Sequence, residues 1–160
     1  MPRRERCGQV FIKKAMAGAK ALLGGDASAR YYFRDNGYCA SGMIAFAQVV
    51  NLLSESGQPL SELVGPLKRH ARSGQRSFQN DDAQGTIKKF AKRYTDGQVS
   101  YLDGICVQYE DWWFVVRPCE NEPLIRLNVE AKDQGLLEAK LAELCPLLGT
   151  PVEEGAGATL

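Results

Sequence analysis

The sequence is short of several things that would announce a function. Its 160 residues contain one histidine, His70, so neither a histidine-based metal centre nor an imidazole acid–base pair can be assembled from the chain alone. Neither sign of charge is in excess. Lys and Arg number 20 against 19 Asp and Glu, where a dedicated nucleic-acid binder shows a clear basic surplus. The five cysteines (Cys7, Cys39, Cys106, Cys119 and Cys145) are odd in number and far apart, without the close spacing of a zinc knuckle or redox pair. That usage fits a reducing cytoplasm, the expected location. No apolar run reaches the roughly 20 residues of a membrane helix, and the basic start Met1-Pro-Arg-Arg-Glu-Arg leads into no apolar signal core. Neither membrane nor nucleic acid is therefore an expected partner.

What is present suits a folded protein. Hydrophobic residues make up 44% and charged residues 24%, enough to bury a core and too ordinary for a disordered chain. In the first half, Phe11 to Ala17 is helix-compatible. Ala21-Leu22-Leu23 reads as a short strand ended by Gly24-Gly25, and Tyr31-Tyr32-Phe33 as another closed by Asp35-Asn36-Gly37. Ile44, Ala47, Val50 and Leu53 recur at helical spacing over Ser41 to Leu53, and Leu60, Leu63, Val64 and Leu67 support a shorter helix.

The second half changes rhythm. Asp81 or Asp82 can cap a helix carrying Ile87, Phe90 and Tyr94. Val99 to Leu102, Ile105 to Tyr109, Trp112 to Arg117 and Leu124 to Val129 read as strands, and a last helix runs from Asp133 to Cys145-Pro146. The predicted class is α+β: a partial α/β lobe over 7–68, a basic linker over 69–76, an antiparallel sheet with two helices on one face over 77–148, and a disordered tail over 149–160. The expected core includes Ile44, Phe90, Ile105, Trp113, Val115, Ile125, Leu127, Leu137, Leu141 and Leu144.

Chemistry concentrates in Arg117-Pro118-Cys119-Glu120-Asn121-Glu122-Pro123-Leu124-Ile125-Arg126. Two prolines stiffen a short bend with an arginine at each end. A guanidinium is a planar fork that donates paired hydrogen bonds to phosphate, so converging arginines and loop N–H groups make an anion cradle.

Here the sequence resembles the α-D-phosphohexomutases, the phosphomannomutase/phosphoglucomutase family, in the C-terminal part that comprises the end of a sugar-binding domain and the phosphate-binding domain after it. That family closes its site with a loop of the pattern Arg-x-Ser-Asn-Thr-Glu-Pro-x-x-Arg. Arg117, Glu122, Pro123 and Arg126 match it in order, and Asn128-Val129-Glu130-Ala131 continues it. Tyr101-Leu102-Asp103-Gly104 and Trp113-Phe114-Val115-Val116-Arg117 resemble the same domain. Val10-Phe11-Ile12-Lys13 is similar to the family's Gly-His-x-x-Ile-Lys segment, and Gly25-Asp26-Ala27-Ser28-Ala29-Arg30 to its Gly-Glu-Met-Ser-Gly-His sugar loop.

The resemblance implies Arg117, Cys119, Asn121 and Arg126 as phosphate ligands, and Asp26, Ser28 and Arg30 as sugar contacts. It implies no catalytic or metal-binding residue here. The family's phosphoserine and its aspartate-rich Mg²⁺ loop lie in domains this sequence does not match, so Mg²⁺ is expected only with those domains and the chain alone is not expected to be a mutase. Several ligand positions depart from the pattern. Asp26 is one methylene shorter than the family's glutamate, Arg30 and Gln9 stand where histidines do, and the Cys119 thiol is a poor donor in place of serine. Glu120 sets a carboxylate beside the phosphate site, a repulsion of about 4 kcal/mol at ~4 Å and an effective dielectric near 20. It also opposes activation of the neighbouring Cys119 thiol, which reads as inert.

The expected partner is thus a weakly held hexose phosphate. The first lobe is expected to expose an apolar edge or face covered by self-association or by a companion chain carrying the missing domains. The alternative is a non-catalytic protein-interaction module on the same scaffold. A nucleic-acid role through Lys68, Arg69, Arg72 and Arg76 ranks below both.

Overall fold

A computed structural model describes residues 1–26, 29–119 and 121–152. The chain is α+β and divides into two units, Met1–Leu67 and Lys68–Leu160, each taken by itself below.

The first unit opens with helix α1 (Gln9–Ala19), in which Ile12 and Met16 lie one turn apart on the same face and are buried. It ends at Lys20, whose left-handed φ of 49° turns the chain back. Strands β1 (Leu23–Gly25), β2 (Tyr31–Phe33) and β3 (Cys39–Ala40) form an antiparallel sheet in that order. The strand expected at 21–23 therefore slides forward onto the glycines that were to end it. The reason is close packing, because a Cβ on Gly24 would lie 2.6 Å from Met16 Sδ. Ser41 caps helix α2 (Gly42–Ser56) by accepting the Ile44 N–H, and Gly57, at φ 64°, ends it. Helix α3 (Leu60–Val64) follows. The buried core of this unit is Ile12, Met16 and Tyr32, with Ala21, Tyr38 and Ala40 packed around it. Ile44, expected in the core, is only half-buried.

The second unit contains strands β4 (Ala71–Arg72) and β5 (Arg76–Gln79), helix α4 (Ala83–Arg93), strands β6 (Gln98–Ser100), β7 (Ile105–Gln108), β8 (Trp112–Pro118) and β9 (Leu124–Ala131), helix α5 (Gln134–Leu144) and strand β10 (Thr150–Val152). Asp82 and Asp133 cap the two helices with their carboxylates. The sheet runs β10-β5-β9-β8-β7-β6, every pair antiparallel, with β4 also paired to β9.

Strand alternation sets the core. Ile105 and Val107, Phe114 and Val116, and Ile125, Leu127, Val129 and Ala131 all face one side, where Ile87 and Phe90 of α4 and Leu137 and Leu144 of α5 cover them. Phe90 stacks on Tyr94, and both meet the Phe114 ring edge-on at 5.8 and 5.0 Å. Trp113 and Val115, expected inside, sit half-buried on the opposite face because the buried parity of β8 is that of Phe114.

Two expectations for the flanks are corrected. The 69–76 linker holds β4, paired at Ala71↔Ala131 and Arg72↔Glu130, and Ser73 prolongs the pairing by accepting the Val129 N–H at 2.9 Å. The tail expected to be disordered from 149 instead forms β10 against β5, while 153–160 lies outside the described residues. Among the described residues no helix is long and apolar enough to cross a membrane.

Candidate functional site

The phosphate-type loop closes the β8–β9 hairpin. Cys119 N–H donates to Leu124 O and Leu124 N–H to Glu122 O, while Asn80 N–H binds Pro123 O and ties the bend to the end of β5. The hairpin register sets Arg117 directly opposite Arg126 on the face away from the helices. Cross-strand neighbours on one face have Cβ atoms about 5 Å apart, and like charges placed there repel. Nevertheless both side chains are held partly out of water, and the Nε–H of each is buried without a hydrogen-bond acceptor. Two buried, unsatisfied cationic donors on adjacent strands form the most unusual polar feature of this unit.

Arg117 is the braced member of the pair. Its Nη2 donates to Gln75 Oε1 at 2.9 Å, its Nη1 stands 3.7 Å from the Asp103 carboxylate, and its side chain keeps 17% of its exposure. Asp103 arrives there because Gly104, at φ 74°, turns the chain hard against β8: a Cβ at 104 would lie 2.2 Å from Val116 O. Arg126, by contrast, has no hydrogen-bond or ion-pair partner among the described residues. Its β5 neighbour in register is the buried Ser77. An anion bound by both side chains would offset the repulsion between them.

The structure brings together Arg117 and Arg126 of the four expected phosphate ligands. Cys119 turns its thiol toward Glu122 Oε2 at 3.7 Å, and Asn121 is exposed on the bend. Glu120 lies outside the described residues. Sequence reasoning missed Gln75 and Asp103. Asp103 stands in the sequence only as part of the family-like Tyr101-Leu102-Asp103-Gly104 segment, with no ligand role assigned, and Gln75 only as linker. The signal that unites them with Arg117 is the strand pairing, which no local spacing contains.

In the first unit, Asp26 and Arg30 meet each other. Asp26 Oδ2 accepts Arg30 Nε at 3.0 Å, is 3.0 Å from Nη2, and accepts the Tyr32 hydroxyl at 3.4 Å. The Asp26 side chain is only 4% exposed, so its carboxylate works inside its own loop. Burial, then the charge of Asp26, push the Tyr32 hydroxyl above its usual pKa. Ser28 lies outside the described residues. Among the described residues no three His, Cys, Asp or Glu side chains cluster to hold a metal.

The family described as phosphoglucomutase/phosphomannomutase, alpha/beta/alpha domain III, matches residues 2–70. A protein named phosphohexose mutases from Xanthomonas campestris pv. campestris is 37% identical over 147 residues, covering 89% of this chain and 33% of that protein. Phosphomannomutases from Methanocaldococcus jannaschii and Vibrio cholerae are 32% and 35% identical, covering 91% and 92% of this chain and 32% and 33% of their own lengths. A phosphoglucomutase/phosphomannomutase family protein from Burkholderia thailandensis has the same fold, with TM-score 0.74 at 22% identity over 89% of this chain and 31% of its own. The chain thus spans about a third of the length of the relatives it matches.

Proposed function

Because this chain belongs to the phosphohexomutase family, we propose that its second unit grips the phosphate of a hexose phosphate between Arg117 and Arg126, and that these 160 residues alone transfer no phosphoryl group. The observation that carries the reading is the cross-strand pairing of Arg117 with Arg126, each with a buried Nε–H that lacks an acceptor. Such a pair raises the energy of the empty protein, and a dianion lowers it by offering several acceptor oxygens at once. Phosphoryl transfer needs more: a group to carry the phosphate and a metal to neutralise it. The described residues offer no metal cluster, and no Asp-Gly-Asp-Gly-Asp segment occurs in the sequence.

In the sugar loop, Asp26 and Arg30 support the shape of the loop, and their contribution to hydroxyl recognition is indirect, through the backbone they hold.

Calorimetric titration with glucose 1-phosphate and mannose 1-phosphate tests the proposal. Both sugars should bind weakly, inorganic phosphate should compete, and Arg126→Ala should remove the heat. Absence of binding, or binding indifferent to both Arg117→Ala and Arg126→Ala, would overturn it.

A further inference from the structure

Two of the three tyrosines in the second unit are occupied. Tyr94 stacks on Phe90 and donates its hydroxyl to Glu143, and Tyr109 lies flat on Trp112 at 4.7 Å and donates to Asp96 at 2.7 Å. The third, Tyr101, makes no ring contact and no hydrogen bond among the described residues, and it keeps 63% of its exposure. Leu102 beside it keeps 42%. An exposed ring holds its apolar body in water, which is unfavourable until something covers it.

The place of this residue gives it a use. Tyr101 and Leu102 begin the connection from β6 to β7, just after the pair Ser100↔Cys106. The same connection carries Asp103, 3.7 Å from Arg117 Nη1, and Gly104, where a Cβ would lie 2.7 Å from Arg117 Cα. The loop is therefore packed against the backbone of one of the two paired arginines. Because Ile105 at the start of β7 pairs with Val116 near the end of β8, this loop and the Arg117–Arg126 bend lie at the same end of the sheet. Three residues span at most about 11 Å, so Tyr101 is within the combined reach of its own side chain and of a hexose carried on a phosphate at Arg117.

Chemistry selects the ligand class. The faces of a hexose ring are patches of C–H bonds between hydroxyls, apolar enough to lie on an aromatic side chain. Small-molecule sites join such apolar and aromatic walls to a few polar groups that fix orientation. Here the arginines are the polar groups, and Tyr101 with Leu102 is the wall. Inorganic phosphate would use the arginines alone.

We propose that Tyr101, with Leu102 beside it, seats the sugar ring of a hexose phosphate whose phosphate is held by Arg117 and Arg126. The inference rests on the phosphate reading above and adds the residue that separates a hexose phosphate from phosphate itself.

Calorimetric titration of the full chain with glucose 1-phosphate and, separately, with inorganic phosphate tests it. Tyr101→Ala should weaken glucose 1-phosphate binding by about 3- to 10-fold and leave inorganic phosphate within about twofold. Tyr101→Phe keeps the ring and drops the hydroxyl, and should bind glucose 1-phosphate like the wild type. Both variants should melt with the wild type, since the side chain is exposed. An equal loss for both ligands would show that Tyr101 acts through Arg117, and no change for either would show that no sugar meets it. Each of these overturns the inference and leaves the phosphate reading standing. Adenosine 5′-monophosphate bound more tightly than glucose 1-phosphate, with the same dependence on Tyr101, would overturn it by making a nucleobase the occupant. A wild-type chain that binds neither sugar phosphate nor inorganic phosphate would end both readings.

Discussion

The two units treat their apolar residues in opposite ways. The second gathers fifteen buried residues into one cluster between a sheet and two helices, while the first buries three. Composition of the helices does not foretell this contrast, since α2 is more apolar along its length than α4, which carries four basic residues on its wet side; the exposed apolar face expected of the first lobe came from the family resemblance. The difference lies in what each helix finds opposite it. In the second unit α4 and α5 meet long strands with a complete buried parity. In the first, α2 meets no sheet of its own size, so its hydrophobicity remains unused. A closed core and an open one can thus occupy one chain.

The largest test of this contrast is Phe114→Ala. It empties the aromatic centre of the second unit and should cost about 3–5 kcal/mol in urea denaturation, whereas Phe46→Ala should stay within about 0.5 kcal/mol. Next comes a pair of glycines with positive φ. Gly104→Ala forces a Cβ into β8 and should cost about 3 kcal/mol while displacing Asp103 from Arg117. Gly37→Ala, at φ 60° with open space around it, should cost about 1 kcal/mol. Thermal denaturation of both variants ranks them, and equal losses would show that Gly104 is not a packing position.

Arg126 supplies a sharper comparison of stability with function. Arg126→Met removes a half-buried cation whose Nε–H lacks an acceptor, so melting should hold or rise, while glucose 1-phosphate binding should weaken by about 10- to 100-fold. A fall in both would make Arg126 structural.

The smallest effect is alkaline. Burial, then the hydrogen bond to Glu143 Oε1 at 2.8 Å, push the Tyr94 hydroxyl from 10.0 up to about 12. A pKa raised by folding contributes stability that is complete below pH 10 and lost as pH climbs through 12. Glu143 moves the other way. Burial would raise its pKa, but hydrogen bonds from Lys140 and Tyr94 outweigh it and hold the carboxyl below its usual range. Tyr94→Phe should therefore flatten the decline of melting temperature between pH 10 and 12. A decline of unchanged slope would assign the alkaline loss elsewhere, Tyr109 being the next raised hydroxyl.

Much of the second unit was legible before any coordinates. Leu124 to Val129 alternates cleanly, Asp82 and Asp133 announce their helices, and Arg117 and Arg126 flank a proline-braced bend. What escaped was short and paired at a distance. Ala71–Arg72 and Thr150–Val152 have no strand pattern of their own and exist because β9 and β5 offer them a ladder. Trp113 and Val115 were misjudged because a strand apolar on both faces does not declare which parity is buried.

Local patterning therefore determined the elements, the caps and the two arginines, because periodicity, capping and bend chemistry act over a few residues. Only tertiary structure decided that those arginines stand opposite each other in register, each with a buried Nε–H that lacks an acceptor, that Asp103 and Gln75 brace one of them, that Asp26 spends its carboxylate on its own loop, and that the exposed apolar face is that of α2. These outcomes depend on hydrogen-bond register and burial between residues far apart in the chain, which no window of neighbouring residues contains.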